Sequence, residues 1–295
     1  MQSIPIDSPF NLNNDSAYQA WREQKLSVHP ESLKDILVEI NDPFDVSQNE
    51  ITRLMNCINR CNMAIYQLPD SVDQESNKDF LYKLGQQFGL GNFDHNLYAD
   101  EDAISSLKVT PEKGGKGYIP YTNRPIAWHT DGYYNTGDNQ VRAMLLHCVI
   151  PAENGGENQL LDHEIAYILL RDIDPAHIEA LSRPQAMSIP ANEQDGNQIR
   201  PAVTGPVFSL DSNGNLHMRF TARTRSIEWL DDEAVINARD ALMDVLNSDS
   251  PYHLRGKLQH GQGLICNNVL HTRTRFEEDS QRLLYRARYF DRISN

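Results

Sequence analysis

The chain has 295 residues, 39% hydrophobic and 23% charged, with three Trp, twelve Tyr and nine Phe; this balance excludes a disordered chain and leaves enough apolar material for a sizeable core. Its formal net charge of -14, from 41 acidic against 27 basic residues, sets up a field that repels phosphate backbones and anionic membrane surfaces, so neither nucleic acid nor membrane is an expected partner. Four cysteines (Cys57, Cys61, Cys148, Cys266) are too few for a disulfide scaffold and form no CxxC pair.

The opening "MQSIPIDSPFNLNNDSAYQAW" has no basic stretch followed by an apolar one, and no run of about 18 apolar residues occurs anywhere. A soluble, cytoplasmic protein is the expectation. No linker divides the chain, so one elaborated domain over 1–295 is expected, with 1–45 an N-terminal extension packed on it.

In chain order, "SQNEITRLMNCINRCN" (47–62) places Ile51, Leu54, Met55 and Ile58 at helical spacing, and Ser47 with Glu50 forms a capping box. Cys57 and Cys61 then read as two free thiols on a helix face. "MAIYQLP" reads as a strand closed by proline. "SNKDFLYKLGQQFGL" (76–90) predicts a second helix with Phe80, Leu81, Leu84 and Phe88 on one side and Gly89 near its end.

After residue 100 the chain turns to short apolar runs separated by Gly, Pro and Asn: 143–150, 158–162, 206–210, 216–222, 253–259, 264–271 and 282–290. "DSNGN" (211–215) carries the Asn-Gly pair of a tight hairpin, and "HGQG" (260–263) marks another turn. Helices are expected at about 163–171 and 231–247, the latter opened by Asp231 and Asp232. The inventory predicts a mainly β sandwich or jelly roll with helices packed outside.

Within "WHTDGYY" (128–134), alternate residues of an extended segment share a face, so His129 and Asp131 project together and Trp128 and Thr130 point the other way. An imidazole and a carboxylate, joined by one distant histidine, suit a divalent iron and leave coordination positions open. In "NNVLHTRTRFEEDSQRLLYRARY" a strand ends at His271, turns through "EEDSQ" and returns with Arg282, Leu284, Arg286 and Arg288 on one face. An antiparallel return would set the start of the last strand beside His271, although arginines opposite apolar residues also describe a half-buried edge strand. His147, inside an apolar run, reads as a hydrogen-bonded core residue; His29, His95, His163, His177, His217, His253 and His260 read as surface or loop residues.

His-x-Asp, a long interval, then His followed after ten intervening residues by Arg resembles the motif of the taurine dioxygenase-like (TauD/TfdA) family of Fe(II)/2-oxoglutarate-dependent oxygenases. The likeness runs from about residue 45 to the C-terminus and includes "FG" (88–89) and the "NGGEN" turn (154–158). It implies a double-stranded β-helix, a cupin-like jelly roll, with His129, Asp131 and His271 as Fe(II) ligands and Arg282 binding the far carboxylate of 2-oxoglutarate. Asn158 stands where family members commonly carry a threonine that hydrogen-bonds the co-substrate. By the same resemblance Arg286 holds an acidic group of the substrate; Arg223, Arg225, Tyr133 and Tyr134 are further substrate-binding candidates.

The implied reaction consumes O2 and 2-oxoglutarate, releases succinate and CO2, and hydroxylates an unactivated C–H bond of a small anionic or zwitterionic metabolite. The carboxylate at Asp131 disfavours halogenation, since related halogenases carry a small residue there. The same ligands also serve desaturases and cyclases, and a cupin-like metal-binding sensor would keep them without turnover. Relatives form dimers or tetramers, so a homo-oligomer is consistent with the resemblance. Pocket shape is expected to depend on the segments near 100–127 and 185–230.

Overall fold

A computed structural model describes residues 4–69, 74–95, 103–110, 118–135, 137–194 and 197–294. Parts of the 100–127 segment expected to shape the pocket, 100–102 and 111–117, lie outside the described residues, as do 195–196 of the 185–230 segment.

Two sheets face each other. The larger contains six strands in the order β1 (Leu37–Glu39), β2 (Met63–Gln67), β15 (Gln262–Cys266), β5 (Ala143–Ile150), β17 (Leu283–Tyr289) and β3 (Ser105–Leu107). Only β1 and β2 run parallel; the other neighbours are antiparallel. The smaller, wholly antiparallel sheet has the order β14 (Leu254–Gly256), β6 (Asn158–Leu161), β16 (Leu270–Arg273) and β4 (Ile126–His129). In the chain between β6 and β14 come short strands: β7 (Met187–Ile189), β8 (Asn192–Gln194), β9 (Asn197–Arg200), β10 (Val203–Gly205), β11 (Phe208–Leu210), β12 (Leu216–Met218) and β13 (Glu228–Trp229). The hairpin of β11 and β12 turns at Asn213-Gly214, with Gly214 at φ 81°.

Period-two alternation assigns each strand's faces. Met144, Leu146, Cys148, Leu264 and Leu284 of the larger sheet meet Leu160, Leu254 and Val269 from the other side, forming the inner core. The opposite face of the larger sheet, with Leu145, Ile265 and Ala287, is covered by α2 (Gln48–Cys61) and α3 (Gln74–Gln87) through Leu54, Ile58, Leu81 and Leu84. The outer face of the smaller sheet, with Trp128, Leu161 and Leu270, packs under α4 (His163–Ile173), α5 (Pro175–Leu181) and α6 (Glu233–Asn247).

The Ser47–Glu50 capping box opens α2, and Asp232 caps α6 by accepting from the backbone of Ala234 and Val235. Upstream, α1 (Asp15–Ser27) docks on α4: buried Lys25 lies 2.8 Å from buried Asp162 and also pairs with Glu164, and Tyr18 donates to Asp172. All four cysteines are free.

Four expectations need correction. The last strand does not return beside His271, because β16 and β17 belong to opposite sheets and the polar turn carries the chain across the rim. β17 is also no half-buried edge strand: it lies between β5 and β3 and is buried on both faces. His163, His217 and His253 are buried rather than on the surface; His163 Nε2 donates to Leu216 O at 3.1 Å, and His253 packs against Trp128 at 5.2 Å between ring centroids. His147 is the hydrogen-bonded core residue expected, 3.1 Å from the Tyr66 hydroxyl. The single strand expected over 264–271 breaks into β15 and β16 at Asn268, whose φ is 51°. Among the described residues no helix is long and apolar enough to cross a membrane.

Candidate active site

His129 is the last residue of β4 and pairs in register with His271 of β16, which fixes both rings on the inner face of the smaller sheet. Their centroids are 4.1 Å apart. Asp131 lies two residues beyond β4, in the turn. Thr130 points away and is locked to Phe220 through its N–H and its hydroxyl, each 3.0 Å, so Asp131 comes back to the His129 side. Gly132 then has φ 66°, and a Cβ there would fall 2.4 Å from Val141 Cγ2, so the turn after the carboxylate requires glycine. The outcome is one donor atom from each of His129, Asp131 and His271, all within 4.8 Å of one another.

Hydrogen bonding orients the donors. His129 Nδ1 lies 3.0 Å from Ala127 O and 3.1 Å from His271 O, and His271 Nδ1 lies 3.0 Å from Val269 O. Carbonyl oxygens only accept, so each Nδ1 carries the proton and each Nε2 offers its lone pair. Burial, reinforced by the neighbouring His271, lowers the His129 pKa to about 3, and burial lowers His271 as well, so both rings are neutral. For Asp131, burial would raise the carboxyl, but Arg286 first, then Arg288 and the two histidines, outweigh it and hold the group well below the usual carboxylate range. Asp131 Oδ2 is buried without a hydrogen-bond partner; its nearest cation is Arg286 Nη1 at 3.3 Å. Two neutral imidazoles and a carboxylate with an unsatisfied oxygen fit a ferrous ion.

Arg282 is buried at the start of β17 and, among the described residues, pairs with no carboxylate. It lies 5.1 Å from the Phe276 ring centroid and close to Gly156 of the "NGGEN" turn. Burial lowers its pKa to about 10. Arg273, which sequence reasoning passed over, is a second buried guanidinium lowered to about 9 by burial and by the charge of Arg282. It is already engaged, donating to the carbonyls of Thr122 and Arg124 at 2.7 and 2.5 Å. Two adjacent buried cations, neither paired with a carboxylate among the described residues and only Arg273 engaged by carbonyls, make a pocket that accepts a carboxylate. Asn158 and His271 line a narrow apolar cavity with Leu146, Leu160, Leu258 and Leu264, and the Asn158 amide donates to Thr272 O at 2.7 Å.

The remaining candidates separate. Tyr133 stands edge-on to His129, 6.5 Å between centroids, and its hydroxyl accepts from the exposed Arg223 at 3.1 Å. Tyr134 packs on Tyr133, and its hydroxyl accepts from Arg288 at 2.9 Å. Arg288, a residue of the same β17 face to which the sequence reading gave no role, is buried and paired with Asp94 at 2.5 Å. Arg225 is exposed and, among the described residues, no hydrogen bond or ion pair joins it to this group. Alternation along β17 was the available signal for Arg288, and alternation with His271 along β16 was that for Arg273.

Residues 38–288 match the Taurine catabolism dioxygenase TauD, TfdA family. The chain belongs to that family. As a TauD/TfdA member it is an Fe(II)/2-oxoglutarate-dependent dioxygenase, an oxidoreductase that uses iron, 2-oxoglutarate and O2, and the non-catalytic sensor reading falls away. It is similar to the uridine-5'-phosphate dioxygenase of Amycolatopsis sp, 32% identical over 204 residues that cover 65% of this chain and 70% of the relative. A uridine-5'-phosphate dioxygenase of Streptomyces sp is 29% identical over 208 residues, 67% of this chain and 73% of that one. In fold it is similar to the non-heme iron oxygenase OrfP solved with Fe, succinate and (3S)-hydroxy-L-Arg, at a TM-score of 0.61 and 16% identity over 92% of this chain and 91% of that chain.

Proposed function

We propose that this dioxygenase hydroxylates an unactivated C–H bond of a small anionic metabolite, with succinate and CO2 as co-products. His129, Asp131 and His271 hold the iron, and Arg282 takes the far carboxylate of 2-oxoglutarate. The observation that carries this reading is the convergence of three donor atoms within 4.8 Å, with a buried arginine on the facing sheet that has no carboxylate among the described residues. The two facing sheets support the double-stranded β-helix as the frame. When bound, iron with its co-substrates supplies the oxidising power that no side chain here has.

The protein's own residues orient and neutralise. The proton on each Nδ1 fixes the imidazoles with Nε2 toward the centre, and the apolar walls of Leu146, Leu160 and Leu264 receive the co-substrate's methylenes and exclude water. Asn158, on the same wall, hydrogen-bonds the co-substrate with the N–H left over from Thr272. Arg286, facing the donors, holds the substrate's anionic group, with Tyr133 and Tyr134 forming the adjoining wall and Arg223 closing it. The two bacterial relatives are named for uridine-5'-phosphate, and a phosphate monoester is the first anion to offer.

The test is succinate formation by the purified protein with iron(II), ascorbate, oxygen and 2-oxoglutarate, across nucleoside monophosphates and other anionic metabolites. One class should stimulate succinate release and gain one oxygen atom by mass. His129→Ala and His271→Ala should lose iron and turnover while keeping the circular dichroism spectrum; full activity in either overturns the ligand assignment.

A further inference from the structure

We infer that Asn268 is a positioning residue for the Asp131 carboxylate, its side-chain amide standing in for the neighbouring strand that β4 lacks at that point. The inference rests on Asp131 being an iron ligand. The ladder between β4 and β16 has His129↔His271 as its final register pair. One step further, antiparallel pairing would bring residue 269 opposite Asp131, but the chain has already left the sheet through Asn268 in the left-handed region, φ 51°. The backbone of Asp131 is therefore without a strand partner in a buried place, where an unpaired N–H or C=O is costly.

One side chain satisfies both groups. The Asp131 N–H donates to Asn268 Oδ1 at 2.7 Å, and Asn268 Nδ2 donates back to Asp131 O at 2.9 Å. The second N–H of the same amide donates to Val141 O at 2.6 Å. Asn268 is itself only 2% exposed, so these bonds are formed away from water.

The residue type follows from the geometry. A planar group with an acceptor and two donors is needed to copy a peptide unit and reach a third partner, which restricts the choice to an amide. A left-handed backbone favours Asn over Gln. Through Val141 the amide also holds the far end of the loop that begins at Asp131, the same Val141 whose side chain crowds Gly132. With its φ and ψ held by two hydrogen bonds, Asp131 has a fixed Cα–Cβ direction. Its carboxylate then reaches the two Nε2 atoms without a strand beneath it. Because Asn268 precedes His271 by three residues, one side chain couples the turn carrying the carboxylate to the strand carrying the distant histidine. Partners of this kind, one step behind a ligand, characteristically change metal affinity by about 10–100-fold when removed.

The experiment measures ferrous ion binding by anaerobic titration, with circular dichroism and thermal unfolding in parallel. Asn268→Gly keeps the left-handed backbone and deletes the amide; it should bind iron about 10–100-fold more weakly with secondary structure retained. Asn268→Asp keeps the size and the acceptor for Asp131 N–H but loses both donors, and it should also bind more weakly, although its added negative charge by itself favours a cation. Affinity within about twofold of the parent in Asn268→Gly, whatever its melting temperature, or unchanged or tighter binding in Asn268→Asp, overturns the proposal. His271→Ala is the reference: a parent protein that binds iron no better than this variant defeats the ligand assignment itself, a result distinct from failure of the Asn268 role.

Discussion

Arg286 Nη1 stands 3.3 Å from Asp131 Oδ2, both side chains buried between the sheets. Four residues earlier on the same β17 face, Arg282 meets no carboxylate among the described residues. One strand thus presents two guanidinium groups in two electrostatic settings, one balanced by a proposed metal ligand and one without a carboxylate among the described residues. The spacing of four residues along a strand separates them by about 13 Å, enough to serve opposite ends of a site.

Removing the first charge should affect substrate more than co-substrate. For Arg286→Met, kcat/KM for the anionic substrate should fall by at least about tenfold, while KM for 2-oxoglutarate stays within about threefold, the signature of a charge-assisted bond lost to one ligand. Steady-state succinate assays at varied concentrations of each check this. A rise confined to the 2-oxoglutarate KM would exchange the roles of the two arginines.

For Arg282→Ala the opposite pattern is expected. Loss of a buried charge-assisted pair is worth about 2 kcal/mol, so KM for 2-oxoglutarate should rise about 30-fold. Substrate KM at saturating 2-oxoglutarate should move little. An unchanged 2-oxoglutarate requirement assigns its carboxylate to another group.

Gly155 sits at φ 75°, and a Cβ there would come 2.1 Å from the backbone oxygen of Arg275. Neither atom can rotate aside. Gly155→Ala should destabilise the fold by about 1–3 kcal/mol in urea unfolding, from backbone strain at the turn that leads into β6. Because that turn lies against Arg282 through Gly156, the 2-oxoglutarate KM should rise with it. Parent-like stability would mean that the turn relaxes freely.

The buried Lys25–Asp162 pair predicts acid sensitivity. Burial would raise the Asp162 carboxyl, but Lys25 foremost and then His163 outweigh it and depress the group below its ordinary value. A depressed carboxylate contributes stability above the unfolded pKa near 4, and that contribution is lost as pH falls through the folded value. Unfolding free energy of the parent should therefore decline as pH drops below about 4. Lys25→Met should lower stability by about 3 kcal/mol near neutrality and flatten this decline, because Asp162 is left buried without its cation. Urea titrations at a series of pH values decide it; an equal slope in both proteins would refute the assignment.

The local chemistry of the chain was readable directly. Ser47 with Glu50 announced the start of α2, Asn213-Gly214 the hairpin, and strict alternation in 282–290 the two faces of β17. The shared side of His129 and Asp131 was likewise visible, although Asp131 lies past the strand end and is brought round by the Thr130–Phe220 clamp. Such signals depend on backbone periods and caps spanning a few residues, which any window of sequence contains.

What the sequence by itself determined was the set of elements, the inward-facing residues and the chemical types available for a metal and an anion. The tertiary structure decided which of them meet: that β16 and β17 part into opposite sheets, that Arg286 rather than Arg282 stands at Asp131, that His163, His217 and His253 are buried, and that Asn268 holds the Asp131 turn. Alternation says that a side chain faces inward but not which sheet lies opposite. That choice is made by hydrogen-bonded pairing between segments more than a hundred residues apart, such as β5 with β15 and β17, whose register no local pattern encodes.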